Sequence, residues 1–345
     1  MMSGVRNSNP HRMTAESVAA RTKVFLDGLL ACPLCRGQLT HEEDRYTCLN
    51  CVKSYPVKNG IPRFLGDLSH DAQQIRRSFH LEHTKYLESR HAHFGPQLVT
   101  QWLEDVGLPP EYFKGKLVLD AGCGSGRWTY ALASLGATVV AVDFTDSGVE
   151  VTRKATEASD NTAVLQADLL RLPFKPESFD FVVSWGVLHH TPDTRAAFAR
   201  LAPLVKKGGE LFVMVYERRN PPKNFCTNLV RWLLQRFPEE RRYRLCRHFL
   251  IRNPLLYQVL RPFILCLRPP EDADALDLST MQFGLFDWYS PKFNHLHTQG
   301  EIRSWFHECR FDEVTLTKPV RYTRLWEIFR YGECGGEIHM RGART

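Results

Sequence analysis

The chain has 345 residues, enough for a sizeable core and more than one domain. Hydrophobic residues make up 43% and charged residues 24%, which excludes a disordered or fibrous chain. No apolar run approaches the ~18 residues of a membrane-spanning helix, and a net charge of +7 is modest enough that its distribution matters more than its size.

Residues 1–25 read as a disordered arm without the apolar stretch of a secretory signal, so the protein is expected in the cytoplasm. Ten cysteines in such a chain read as reduced thiols and metal ligands rather than a disulfide frame. Cys32-Pro-Leu-Cys35 and Cys48-Leu-Asn-Cys51 form two knuckles twelve residues apart. Each offers two thiolates on one turn, and the pair completes a closed four-sulfur zinc site; redox pairing is the rival, but two matched knuckles argue for metal. The module, residues 26–67, has little room for a core, so metal would supply much of its folding free energy. With Tyr55-Pro-Val-Lys-Asn-Gly-Ile-Pro62, the knuckles resemble the zinc-ribbon proteins that activate partner methyltransferases. The resemblance implies a structural zinc and a surface for a protein partner. Ribbon and enzyme are also fused in some ribosomal RNA guanine methyltransferases, which keeps an RNA acceptor open.

Residues 68–112 read as a helical bridge. Phe79, His83 and Tyr86 share one helical face, either packing the ribbon onto the core or folding over a ligand, as in methyltransferases.

From 113 to 217, strands are expected at 117–121, 137–143, 162–167, 179–185 and 209–216, with helices from about 126, at 146–158 and at 194–206. Such alternation predicts a Rossmann-like α/β sheet with helices on both faces, and ligands at the carboxyl ends of the strands. The first strand ends in Asp120-Ala-Gly122-Cys-Gly124-Ser-Gly126, and the second ends in Asp143. A dinucleotide turn needs glycine at position 127, where the chain has Arg127. The Asp-x-Gly-x-Gly-x-Gly spacing instead resembles motif I of the class I S-adenosylmethionine (SAM) methyltransferases; a nicotinamide site or a non-binding turn are the alternatives. The likeness continues through Gln166-Ala-Asp168, Leu172-Pro-Phe174, Phe179 to Gly186 and Lys206-Lys-Gly-Gly-Glu-Leu211. It is greatest to the small-molecule branch that includes the ubiquinone and menaquinone C-methyltransferases.

That resemblance implies SAM held by Asp120, Gly122, Gly124, Gly126, Asp143, Phe144, Asp168, Leu169 and Trp185. Asp143 would hold the ribose hydroxyls and Asp168 the adenine amino group, with Leu169 on the adenine face. It also implies a small-molecule or lipid-like acceptor. His189 and His190 follow the fourth strand, where acceptor and sulfonium meet. Imidazole suits a general base there, although a Leu-His-His turn can equally order the loop. Asp180, at the other end of that strand, reads as a turn or cap. No Asn-Pro-Pro-Tyr follows the strand, which argues against methylation of adenine amines or glutamine.

Residues 218–282 form an insertion. Between Glu217 and Pro270, twelve Arg or Lys stand against three Glu, interleaved with leucines and aromatics. The pattern reads as amphipathic helices broken near Pro254 and Pro262. Three roles fit: a solvated cap, a lid for an anionic or membrane-resident substrate at an anionic membrane surface, or a phosphate-binding face for RNA. Residues 283–345 would complete the methyltransferase domain. Asp287, Tyr289 and His295 are expected in an irregular loop, either contacting the acceptor or packing with its Tyr and Trp buried, followed by a helix from Gly300, a strand from Phe311 and a frayed basic tail from Met340. The leading function is methyl transfer from SAM to a small or lipid-like acceptor; an RNA methyltransferase and a non-catalytic SAM-binding scaffold are the rivals.

Overall fold

Val139 to Val142 and Phe181 to Val183 are fully buried, as strands covered by helices on both faces must be. The computed structural model describes residues 26–66, 70–88, 94–218 and 220–345, apart from the side chains of 70–72, 82, 85–88, 275, 276 and 329–331. The expected N-terminal arm and the Tyr86 side chain lie outside the described residues.

Strands β5 (Leu117–Ala121), β6 (Thr138–Asp143), β7 (Thr162–Ala167), β8 (Phe179–Trp185) and β9 (Val205–Tyr216) run parallel in the order β7-β6-β5-β8-β9. Strand β11 (Glu337–Arg344) pairs antiparallel with β9, and β10 (Phe311–Leu316) pairs antiparallel with β11. From β5 the chain winds out to β6 and β7, then returns to β8 on the other side. The loops leaving β5 and β8 therefore diverge and open a crevice.

The ribbon continues this sheet. Its strands β1 (Leu39–Glu42), β2 (Arg45–Cys48) and β3 (Ser54–Lys58) pair antiparallel, and β3 pairs with β4 (Ile61–Phe64). Strand β4 lies parallel to β7, with Phe64 opposite Ala167. Arg63 of β4 reaches Glu150 at 2.5 Å and Gln166 at 3.3 Å. Beyond the first knuckle, Arg36 donates to the carbonyl of Leu172 at 2.8 Å. Tyr46, Tyr55 and Phe64 join the same buried cluster as β6 and β7, so the large parallel sheet supplies the core that the ribbon lacks.

Four details differ from the sequence expectations. The helix after β8 stops at Leu201 and gives way to a 3-10 turn containing Pro203, so β9 begins at Val205. Asp180 is neither turn nor cap: it accepts from Leu117 N and Lys206 Nζ, both at 2.8 Å, and braces the amino ends of three strands. Asp287 and Tyr289 are not in a loop; they lie in the last turn of the helix Ala275–Tyr289. Leu285, Phe286 and Tyr289 of that helix bury against Leu234, Cys246 and Leu265 of the insertion. The basic tail is not frayed either. Met340 is fully buried between β9 and β10, and Arg344 pairs with Glu177 at 3.3 Å.

The insertion contains helices Pro221–Leu234, Glu239–Cys246 and Pro254–Leu260. Asn220 and Asn253 cap the first and third, each followed by proline in the first turn, where the missing N–H costs nothing. Pro254 therefore starts a helix. Lys223, Arg231 and Arg242 are buried. Arg231 donates to the carbonyls of Trp288 and Pro291, and Arg242 to that of Ser290 at 2.6 Å, so two arginines cap the carboxyl end of Ala275–Tyr289. Among the described residues, no helix is long and apolar enough to cross a membrane. Replacing Arg242 with Met keeps the aliphatic stem but removes its charged bonds to the Ser290 carbonyl and to Gln235, leaving that carbonyl to Gln235 alone. Urea denaturation should report a loss of about 2 kcal/mol, and an unchanged midpoint would remove the capping role.

Candidate active site

The crevice between β5 and β8 holds a cavity of about 500 Å³, within the usual range for small-molecule sites. Gly122 and Gly124 form its floor with φ of +97° and +51°, a region that L side chains avoid. The N–H of Gly124 donates to Asp143 Oδ2 at 2.9 Å and ties the turn to the end of β6. Asp143 Oδ1 accepts from Thr145 N at 2.8 Å and from its hydroxyl at 2.7 Å.

With that hydroxyl proton used on Asp143, His83 Nδ1, 3.1 Å from Thr145 Oγ1, must be the donor of their bond. The His83 ring is buried and burial lowers its pKa; with its proton on Nδ1, the neutral ring keeps its lone pair on Nε2. A Cβ on Gly124 would sit 3.2 Å from that nitrogen. The bridge helix His70–Glu88 thus folds over the glycine turn, and Phe79 and His83 line the cavity.

The predicted nucleoside set divides. Gly122, Gly124, Asp143, Phe144, Asp168, Leu169 and Trp185 line the cavity; Asp120 and Gly126 do not. Asp120 is buried behind the turn, accepts from the Thr129 hydroxyl at 2.6 Å, and has its carboxyl pushed up to about 7 by burial. A Cβ on Gly126 would lie 2.9 Å from Thr152 Cα, so this glycine lets two helices meet. Asp168 Oδ1 accepts from Leu170 N at 2.9 Å. The Trp185 indole donates to Asp105 at 2.9 Å, and its ring centroid lies 5.3 Å from that of Trp128.

Of the two candidate bases, only His190 reaches the cavity. Its Nδ1 lies 3.0 Å from the Phe293 carbonyl, which can only accept, so Nε2 carries the lone pair. Asp287 Oδ1 is 3.8 Å from Nε2, and the Tyr216 hydroxyl donates to the other Asp287 oxygen. Burial lowers the His190 pKa, and Asp287 opposes that effect. His189 is fully buried against Tyr216, and among the described residues neither ring nitrogen has a hydrogen-bond partner. Burial, with the neighbouring cations and histidines, holds it well below the usual range.

Two predicted acceptor contacts fall away from the cavity. Tyr289 is fully buried, its hydroxyl on the Leu265 carbonyl at 2.6 Å. His295 gives its backbone N–H to His189 O at 2.9 Å, organising the loop. Sequence reasoning passed over Tyr216, although it ends a parallel strand on the ligand side of the sheet. It also passed over the ribbon: Pro33, Leu34, Tyr55 and Phe64 line the same cavity.

The four knuckle sulfurs lie within 4.8 Å of one another, with Cys32–Cys51 at 3.7 Å and Cys35–Cys48 at 3.4 Å. A tetrahedral zinc with sulfurs at about 2.3 Å sets sulfur–sulfur edges of about 3.8 Å, so the donor set fits that ion. The Tyr55 hydroxyl is 3.3 Å from Cys32 Sγ, leaving one side chain between cluster and cavity.

A glycine turn at the switch point, an acid ending the next strand and an antiparallel last strand define the Rossmann-like class I methyltransferase fold. Residues 119–213 match the methyltransferase domain family, so this segment of the chain is a methyltransferase domain. The demethylmenaquinone methyltransferase of Staphylococcus aureus strain MRSA252 is 35% identical over 110 residues, which cover 31% of this chain and 44% of the relative. The chain thus spans less than half the length of the curated relatives it matches. Among solved structures, Haemonchus contortus phosphoethanolamine N-methyltransferase 2, in complex with phosphomonomethylethanolamine and S-adenosylhomocysteine, aligns at 13% identity and a TM-score of 0.48. That alignment covers 82% of this chain and 62% of the other. A Synechocystis magnesium protoporphyrin IX methyltransferase with bound SAH aligns at 18% identity over 81% of this chain and 90% of its own, with a TM-score of 0.40.

His83, His189 and His190 are buried with lowered pKa values, whereas in the unfolded chain each titrates near 6.5. The unfolded state therefore binds more protons below that pH. Stability should be full above it and fall by up to roughly 1.4 kcal/mol per pH unit per histidine below it. Thermal denaturation from pH 8 to 5 measures this slope. His189→Phe should flatten it, and an unaltered slope would count against a buried neutral His189.

Proposed function

We propose that the protein transfers the methyl group of SAM to a small, largely apolar acceptor in the crevice between β5 and β8. The observation that carries this reading is that the glycine turn, Asp143 and the His190–Asp287 pair all line one cavity. SAM supplies an electrophilic methyl on a cationic sulfur. Gly122 and Gly124 let the backbone approach it closely, Asp143 takes the ribose hydroxyls, and Asp168 with Leu169 takes the adenine. Phe144 and Trp185 complete the walls. Asp120 and Gly126 support the turn from behind, and the four cysteines hold a structural zinc.

Positioning and exclusion of water account for most of the rate in such a transfer. The remaining task is a proton, and His190 Nε2 is the group to take it from the acceptor. Asp287 stands where an imidazolium would be stabilised, and Tyr216 fixes Asp287. Leu34, Phe64, Ile75, Phe79, Leu170 and Phe283 on the lining favour a lipid-like or aromatic acceptor over a nucleotide. The demethylmenaquinone methyltransferase relative supports the same class.

Two variants test the assignment. Asp143→Ala should weaken SAM binding, read by calorimetry, at least about tenfold through the lost charged acceptor. His190→Ala should leave that affinity in place and lower turnover about 100-fold or more. Equal SAM affinity in Asp143→Ala would remove the ribose role, and full turnover in His190→Ala at saturating acceptor would remove the base. Radiolabelled methyl transfer into a cell extract tests the acceptor class. Label in the organic fraction supports the proposal; label in nuclease-sensitive material would replace it with an RNA methyltransferase. SAM binding without any label would favour the scaffold reading.

A further inference from the structure

The insertion carries an apolar surface that the fold does not cover. On the helix Pro221–Leu234, Phe225, Leu229, Trp232 and Leu233 follow at i, i+4, i+7 and i+8, and all are exposed, Phe225 to 71% and Trp232 to 57%. The helix Pro254–Leu260 buries no residue at all; Leu255 is 77% and Val259 63% exposed, with Leu256 and Phe263 beside them. Lys223 Nζ bonds the Arg261 carbonyl at 2.9 Å, joining the start of the first helix to the end of the second. Phe225 and Phe263 each stand two residues from that bond, which ties the two apolar helices together at one end. A protein surface rarely leaves so many large apolar side chains exposed together without a function.

The surrounding charge selects the occupant. Arg236, Arg241, Arg244, Arg247 and Arg252 lie on the segment between the two helices, are exposed, and have no ion pair among the described residues. Arg236 lies over the Trp232 ring at 3.3 Å and Arg241 over Phe237 at 5.2 Å, so cations flank the apolar stripe. The arginines that serve the fold, Arg231 and Arg242, point inward and are excluded from this surface. A second copy of the chain would set five unpaired arginines against five more. An RNA strand would neutralise the arginines but leave Leu229, Leu233, Leu255, Leu256 and Val259 in water. Only an anionic lipid surface answers both, with aliphatic side chains entering the acyl boundary and arginines at the headgroups.

We infer that the helices Pro221–Leu234 and Pro254–Leu260 seat this enzyme on an anionic bilayer. The inference does not depend on the acceptor, because binding is measured without turnover. The full-length protein is sedimented with phosphatidylcholine vesicles containing about one third phosphatidylglycerol, and with phosphatidylcholine alone. Binding is expected to the anionic vesicles, and to weaken severalfold between about 0.1 M and 1 M salt as the arginines are screened. The triple variant Trp232→Ser, Leu255→Ser, Leu256→Ser should bind at least about tenfold less while its thermal midpoint stays near wild type, since these side chains are exposed. The pair Arg236→Gln, Arg241→Gln should lose the preference for anionic lipid and keep the fold. Failure to bind anionic vesicles at low salt would overturn the inference. So would salt-sensitive binding to single-stranded RNA that the serine variant leaves intact, which would make this a nucleic-acid face. A dimer in light scattering that the serine variant dissolves, without vesicle binding, would make it a self-association surface.

Discussion

One carboxylate, Asp143, holds the site together. It closes the β5 turn through Gly124 and the start of the next helix through Thr145, and through the Thr145 hydroxyl it fixes the tautomer of His83. Three separate segments of chain thereby meet at one side chain. The turn needs positive φ at Gly122 and Gly124, which glycine adopts freely and a residue with a Cβ does not. The Asp143 bond to the Gly124 N–H pins the turn in that conformation. The bridge helix in turn rests on the turn, because only the missing Cβ of Gly124 lets the His83 ring descend that far.

The ribbon solves a different problem. A module of about forty residues cannot bury enough apolar surface to fold alone. Two devices compensate: a four-thiolate cluster that suits zinc, and the parallel pairing of β4 with β7. That pairing occupies a ribbon edge within the chain itself, the kind of edge a separate ribbon protein would have open to a partner. It also carries Phe64, Tyr55 and the first knuckle to the cavity, where Leu34 stands half exposed at the wall. Tyr55 couples the cluster to that wall, since its hydroxyl touches Cys32 and its ring touches Phe64.

The sheet was legible in the sequence because parallel strands announce themselves: Val139 to Val142 and Phe181 to Val183 are continuous apolar runs bounded by turn residues. The glycine turn and the acid that ends the next strand, Asp143, were legible because their placement depends on local spacing, whereas Asp120 turned out to lie behind the turn. Legibility failed where contacts across the fold overrode local pattern. Pro291 and the mixed polarity of residues 286–297 read as a loop, yet Leu285, Phe286 and Tyr289 are held helical by the insertion. Asp287 lines the cavity, whereas Tyr289, two residues on, points into the insertion core. The tail reads as basic and terminal, but β9 offers it an edge and Glu210 and Glu177 take its arginines. His189 and His190 cannot be separated by spacing; only the packing of Tyr216 decides which ring faces the cavity.

The charge of the insertion makes the same point about what composition conceals. Twelve basic residues read as one feature, but they divide by direction. Arg231 and Trp232 are neighbours on one helix. Arg231 turns inward to the carbonyl of Trp288, next to Asp287, and Trp232 turns outward to solvent. Burial lowers the Arg231 pKa only to about 10, so at neutral pH it remains a cation among carbonyl oxygens. The helix that presents the apolar stripe is therefore the same rigid element that fixes the end of Ala275–Tyr289, and with it the carboxylate facing His190. Outer surface and cavity wall are two faces of one short chain of packed side chains, from Trp232 through Arg231 to Asp287.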